Sequence, residues 1–177
     1  MLRRPTTEVR ESFLAAMDEL LAEGWGAAEG TTTIARHMRA HGEHWDTPAG
    51  FAGYVRWAHE QALESTPRPP GFVPETVLWW VEGTEYLGRV TVRHRLPTAL
   101  AVTGGAIGYD VRPSARRRGH ATAMLRAALP VAGELGLDPV LVTCGEDNAA
   151  SRLVIERNGG ELLDRVGDTL RYLVPVA

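Results

Sequence analysis

One short stretch sets the terms for the fold, Asp110-Val-Arg-Pro-Ser-Ala-Arg-Arg-Arg-Gly-His-Ala-Thr122. A strand-like run, AIGYDV over residues 106–111, stops at Arg112 and Pro113, and three arginines and a glycine lead directly into an apolar-periodic helix. The free N–H groups of a first helical turn, joined by turn amides, form an anion cradle at the positive end of the helix. Small residues are needed where an anion approaches backbone, and Gly119 and Ala121 meet that need. The residues therefore read as a site for a phosphate-containing ligand, with a solvent-facing basic loop as the alternative. The stretch is neither the GxxxxGK[ST] phosphate loop nor the GxGxxG dinucleotide turn.

The helix it opens is expected from about His120 to Leu135, with Ala121, Met124, Leu125, Ala128, Leu129 and Ala132 as its buried stripe. Pro130 is expected to kink or split it, since it lacks an N–H and crowds the preceding turn. Downstream come a strand at Val140 to Cys144, a short helix near Ala149 to Arg157, a stop at Gly159 and Gly160, and strands at 161–166 and 170–174. Upstream, Thr6 or Thr7 caps a helix with the stripe Val9, Phe13, Leu14, Met17, Leu20 and Leu21, ended by Gly24. A second helix follows Pro48, carrying Phe51, Tyr54, Val55, Ala58, Ala62 and Leu63. After Pro67 to Gly71, strands 76–81 and 86–93 are joined by a turn at Gly83. Trp79 and Trp80 must then face opposite ways, one into the core and one over a helix or a cleft. This order favours an α/β (α+β) domain with a mixed sheet over a bundle, sandwich or barrel.

Composition removes several function classes. All 19 basic residues are arginine, so Schiff-base or P-loop lysine chemistry is impossible. The single cysteine, Cys144, rules out a disulfide framework or a multi-cysteine metal centre. A net charge of -3 is not the footprint of a general nucleic-acid binder. No apolar run is long enough to span a membrane, and the N-terminal stretch lacks a secretory core, so a cytoplasmic protein with no nucleic-acid or membrane partner is expected. The chain length suits one domain over 1–177. His37 and His41 share a helical face with His44 nearby, but Gly42 interrupts them, so a solvent-facing place or one beside the substrate cleft is expected and metal binding is not.

The string Arg116-Arg117-Arg118-Gly119-His120-Ala121 resembles the acetyl-CoA motif of the GCN5-related N-acetyltransferase (GNAT) superfamily, in which Arg or Gln, two residues, Gly, one residue, then Gly or Ala recur. CGEDNAASRLVIERNGG, from Cys144 to Gly160, resembles the second cofactor-side element of that superfamily. The match is close over about 105–174, plausible over 76–95 and loose over the first 75 residues. It implies a GNAT-like mixed central sheet, flanked by helices and splayed between its fourth strand (Ile107 to Arg112) and fifth strand (Val140 to Thr143). Acetyl-CoA (coenzyme A) is the implied cofactor. The resemblance implies that Val111 pairs with the pantetheine arm through its main chain. The turn Arg116, Arg117, Arg118, Gly119, His120 and Ala121 would hold the pyrophosphate with help from Thr122. Arg117 or Arg118 would reach the ribose phosphate, Asn148 the pantetheine arm, and Arg152 the phosphates.

The implied reaction is direct transfer of acetyl to a primary amine in a ternary complex, with a small-molecule amine acceptor favoured over a protein or peptide. The alternative is a non-catalytic acyl-CoA binding module. A possible homodimer is a family prior only. No covalent intermediate is needed, so Cys144 is expected to be a packing residue. The usual acid, a tyrosine seven residues after the asparagine, is replaced by Ile155, leaving Ser151, water or direct thiolate release, with the last two preferred. The usual base position is Ala106, which can take no proton. Glu82, Glu85, His94, Tyr109 and Asp110 are the substitutes, with Glu82 and His94, acting through water, placed first.

Overall fold

A computed structural model describes residues 1–26 and 32–176. Thr6 caps a 3-10 turn at Thr7–Val9 by accepting from the Glu8 amide, and helix α1 follows over Arg10–Ala22. Its buried stripe is Phe13, Ala16, Met17 and Leu20; Leu21 lies outside the stripe, exposed to solvent. Helix α2 (Thr33–His41) starts at Thr32, whose hydroxyl accepts from the Ala35 amide. Helix α3 (Pro48–Glu60) starts at Thr47, which accepts from Gly50, with the proline placed where its missing N–H costs nothing. Ala62 and Leu63 fall past its end.

Strands β1 (Leu2–Arg3), β2 (Glu75–Glu82), β3 (Glu85–Arg93) and β4 (Ile107–Val111) form an antiparallel sheet in the order β1-β2-β3-β4. Between β3 and β4 runs a short helix, α4 (Thr98–Thr103), and neither it nor β1 was expected from local pattern. Helix α5 (His120–Glu134) leads to β5 (Val140–Gly145), then α6 (Ala149–Glu156), β6 (Glu161–Val166) and β7 (Thr169–Val174). These last strands form a second antiparallel sheet, ordered β5-β7-β6. Pro130 does not split α5, which continues through it to Glu134. Pro130 and Arg126, whose carbonyl loses its donor, both face solvent, where water can satisfy that carbonyl.

The two sheets touch where β4 and β5 begin. The Ala106 amide donates to the Leu141 carbonyl at 2.7 Å. Gly105, at φ +58°, has Leu141 and Thr143 backbone about 3.0 Å from where a Cβ would sit, so a side chain there would prise the sheets apart. Beyond that point the strands diverge, giving a mixed central sheet splayed between β4 and β5.

Each face of the first sheet has its own core. Val77, Trp79 and Val81 pack with α1 and α3 around Phe13, whose ring lies 5.2 Å from Trp79 and 5.1 Å from Tyr86. Leu78, Val90, Val92 and Ile107 pack against Met124, Leu125 and Ala128 of α5. Trp79 is wholly buried, whereas Trp80 on the opposite face donates its indole N–H to His120 Nδ1 at the start of α5, 3.2 Å away. One tryptophan thus fills the core and the other props the helix that opens the anion cradle.

Candidate active site

The cradle begins where β4 ends. Arg112 donates to Glu19 of α1, Glu19 also accepts from the Ser114 amide at 2.9 Å, and the loop is thereby tied to the first helix. Burial opposes the Glu19 charge, but bonds from Arg112 and Ser114 overcome it and hold the carboxyl below the usual range. Arg116 gives its Nε to the Val111 carbonyl (3.1 Å), pairs with Glu23 at 2.8 Å and sits over the Trp25 ring. Arg117 (φ +62°) and Gly119 (φ +85°) are left-handed, which turns the chain sharply into α5. The amides of residues 117–122 donate to no protein acceptor among the described residues. A Cβ on Gly119 would meet open space, so that is the side from which an anion can approach. Arg117 and Arg118 are exposed beside it, and no ion pair holds either of them among the described residues.

The row of amides continues into the wedge. Arg93 donates to the Ala106 carbonyl and Arg112 to the Leu87 carbonyl, so alternate residues of β4 turn their main chain toward β3. Antiparallel pairing then points the main-chain groups of Tyr109 and Val111 the other way, toward the gap. There a hollow of about 290 Å³ is lined by Val111, Arg116, Asn148, Ser151 and Val154 among others. Asn148 caps α6 by accepting from the Ser151 amide at 3.0 Å. The Tyr109 hydroxyl lies 2.6 Å from Ser151 Oγ, and burial pushes its pKa up to about 12.

Beyond the wedge, on the face covered by α1 and α2, opens a cleft of about 500 Å³. Its wall is the polar row Arg89, Thr91 and Arg93 of β3, facing Asp110 of β4 and Arg36 of α2. Arg89 is fully engaged: Nε and Nη2 donate to Asp110 Oδ2 (3.2 and 2.8 Å), and Nη1 donates to His37 Nδ1 (2.9 Å). An arginine N–H only donates, so His37 accepts at Nδ1. Burial, reinforced by Arg89, drives the His37 pKa well below its ordinary value, and the ring is neutral. The Tyr54 hydroxyl lies 3.0 Å from the same nitrogen.

Of the residues singled out from sequence, Val111, Arg116 and Gly119 through Thr122 line the cradle and wedge together, with Asn148 and Ser151 across the gap. His120 Nδ1 is spent on Trp80. Arg152 is exposed and pairs with Glu156 one turn on, away from both hollows. The structure does not bring Glu82 or His94 to the cleft. Glu82 is at the far end of β2, 3.8 Å from His120, and His94 is held by Thr76 Oγ1 at 2.8 Å. Glu85 lies 3.7 Å from Arg112. Asp110 and Tyr109, the other two substitutes, both line it. Ile155 is wholly buried in the core, and Cys144 lines the cleft with 8% exposure, burial pushing its thiol pKa up. Among the histidines, His41 packs on Trp57 with ring centroids 4.3 Å apart.

Sequence reading missed the cleft's arginines. Arg36 comes from α2 and Arg89 and Arg93 from β3, and the alternation Arg89, Thr91, Arg93 reads from sequence alone like the ordinary polar face of an antiparallel strand.

A family model for the acetyltransferase (GNAT) domain matches residues 16–161. No curated protein sequence matches the chain. Among solved structures, the chain resembles Mycobacterium smegmatis RimJ in complex with CoA-disulfide (17% identity, TM-score 0.65, covering 98% of this chain and 80% of that one). It also resembles the microcin C7 self-immunity acetyltransferase MccE in complex with acetyl-CoA and AMP (14%, 0.60, 97% and 89%). A third is the Salmonella typhimurium acetyltransferase that modifies the N-terminal serine of ribosomal protein L7/L12 (15%, 0.58, 99% and 94%).

Proposed function

Because the chain belongs to the acetyltransferase (GNAT) family, we propose that it transfers acetyl from acetyl-CoA to a primary amine of a small molecule, by direct attack in a ternary complex. The observation that carries this reading is continuity: the unpartnered amides of residues 117–122 lead into the β4–β5 wedge, and the wedge opens onto the cleft. Acetyl-CoA supplies an activated thioester. The amides around Gly119 bind its pyrophosphate, with Arg117 and Arg118 neutralising charge from outside. The outward-turned main chain of Tyr109 and Val111 pairs with the pantetheine amides as an added strand would. The Val111 N–H, turned toward the gap, would be available to stabilise the negative charge that develops on a thioester carbonyl.

Proton handling falls to groups that line the cleft. Asp110 offers Oδ1, since Arg89 occupies Oδ2, and is placed to draw an ammonium in and receive its proton through water. Tyr109 stays protonated at any physiological pH and touches Ser151, so the pair is suited to pass a proton to the departing thiolate. The neighbours named above include a microcin self-immunity acetyltransferase and an acetyltransferase that modifies the N-terminal serine of a ribosomal protein. A polar cleft of about 500 Å³ with buried arginines on its wall favours a small acceptor over a protein chain end. The test is calorimetric titration with coenzyme A, followed by coenzyme A release and product mass with diverse amines and with N-terminal peptides. No cofactor binding removes the reading; exclusive use of peptides moves it to a protein acetyltransferase.

A further inference from the structure

The cleft wall carries more positive charge than the protein neutralises. Arg89 is matched by Asp110, but among the described residues Arg36 and Arg93 form no ion pair. Arg93, only 8% exposed, gives Nη1 to the Gly104 and Gly105 carbonyls at 2.8 and 2.7 Å. Arg36 gives Nη2 to Thr33 Oγ1 at 3.2 Å and lies over the Phe72 ring. Glu75 acts on both at longer range and balances one of the two. Burial opposes the charge on each guanidinium and lowers its pKa, and Glu75 offsets this only in part. Between Arg89 and Arg93 on the same strand stands Thr91, 2% exposed, whose hydroxyl has no hydrogen-bond partner. A buried and a half-buried guanidinium beside a buried free hydroxyl are the donor set that recognises a carboxylate or phosphate.

We infer that the acceptor is an amine carrying its own anionic group, held by Arg36, Arg93 and Thr91 while Asp110 faces the amine. This rests on the acetyltransferase reading above and specifies its substrate class. The net charge of -3 is no guide to that choice. The charge that matters is local, and on this wall it is positive.

The test uses matched amines with the wild-type protein and acetyl-CoA: O-phosphoethanolamine against ethanolamine for phosphate, and glycine and serine against their amides for carboxylate. The anionic member of at least one set is expected to show kcat/KM about tenfold to a hundredfold higher, the range for a charge-assisted hydrogen-bond pair. Arg36→Gln should collapse that ratio toward one; it is preferred to an Arg93 variant because Arg93 also ties the Gly104 and Gly105 carbonyls. A second readout does not need turnover. With coenzyme A saturating, so that the cradle is filled, inorganic phosphate or acetate should raise the Tm of the wild-type protein but not of Arg36→Gln. Equal or better use of the neutral amines, or a Tm rise that is absent in both proteins or identical in both, overturns the proposal. Failure to bind coenzyme A is scored separately, by titration, and counts against the acetyltransferase reading alone. In that case the comparison of phosphate effects in wild type and Arg36→Gln still decides the anion subsite.

Discussion

The Tyr109 hydroxyl stands 2.6 Å from Ser151 Oγ, joining β4 to α6 across the gap between the two sheets. A serine alone is a poor proton donor, which from sequence made release through water or without prior protonation the favoured outcome, given Ile155 in the usual acid's place. A phenol within hydrogen-bond reach changes that balance, because it can resupply the proton that the serine gives up. Tyr109→Phe and Ser151→Ala are each expected to slow single-turnover acetyl transfer by roughly a hundredfold, the lower end for general acid catalysis, with acetyl-CoA affinity nearly unchanged. Full chemical rates in both variants would restore release through water. Equal losses of binding and turnover in Ser151→Ala would assign that residue to cofactor positioning.

Cys144 tests the direct-transfer route. Its thiol is nearly buried and its pKa is raised, the reverse of what an attacking thiolate needs. Cys144→Ser should keep turnover within a few-fold of wild type, measured by coenzyme A release. An acetylated Cys144 that forms and decays at the turnover rate, detected by intact mass, would replace the ternary complex with a covalent route.

The second half of the chain was legible because its signals are local. Helix α5 starts at His120, where the arginine-glycine turn gives way to apolar periodicity, and β5 and α6 fall within a residue or so of the positions their patterns imply. The cradle is one continuous segment and is readable from one window. The cleft is not. Arg36, Arg89 and Asp110 lie far apart in the chain, and only strand pairing brings Arg89 opposite Asp110. Glu82 and His94 were placed first as bases, but β2 and β3 carry them to opposite ends of the sheet. Leu87 is an extra residue opposite Trp80 and Val81, and it shifts the alternation so that Tyr86 and Arg89 share a face. Period-two counting from either end of β3 alone misassigns the other end.

Acid sensitivity follows from His37. Its folded pKa lies below the unfolded value of about 6.5, so the unfolded chain binds the proton more readily. The stability is present above pH 6.5 and is lost as pH falls from there toward the folded value. Wild-type Tm is therefore expected to decline between pH 7 and pH 5, and His37→Gln should flatten that slope even if it lowers Tm throughout. An unchanged slope in the variant would move the acid sensitivity to other groups.

Gly119 and Arg116 separate backbone from side-chain recognition in the cradle. Gly119 is left-handed at φ +85°, a conformation that costs a β-branched residue roughly 1–2 kcal/mol. The Cβ position is otherwise open, so valine would add no clash with the protein while occupying the approach to the amides of residues 117–122. Gly119→Val should weaken coenzyme A binding by about tenfold or more, each 1.4 kcal/mol being a factor of ten. Gly119→Ala imposes much of the strain with less bulk and should lie between valine and wild type. Arg116 is occupied by Glu23 and the Val111 carbonyl, so Arg116→Ala should weaken binding less than Gly119→Val, and through a looser turn rather than a lost phosphate contact. Calorimetric titrations of the three variants, with circular dichroism to show that each is folded, rank these effects. Coenzyme A affinity that survives Gly119→Val but falls sharply in Arg116→Ala would place recognition on the guanidinium instead of the main chain.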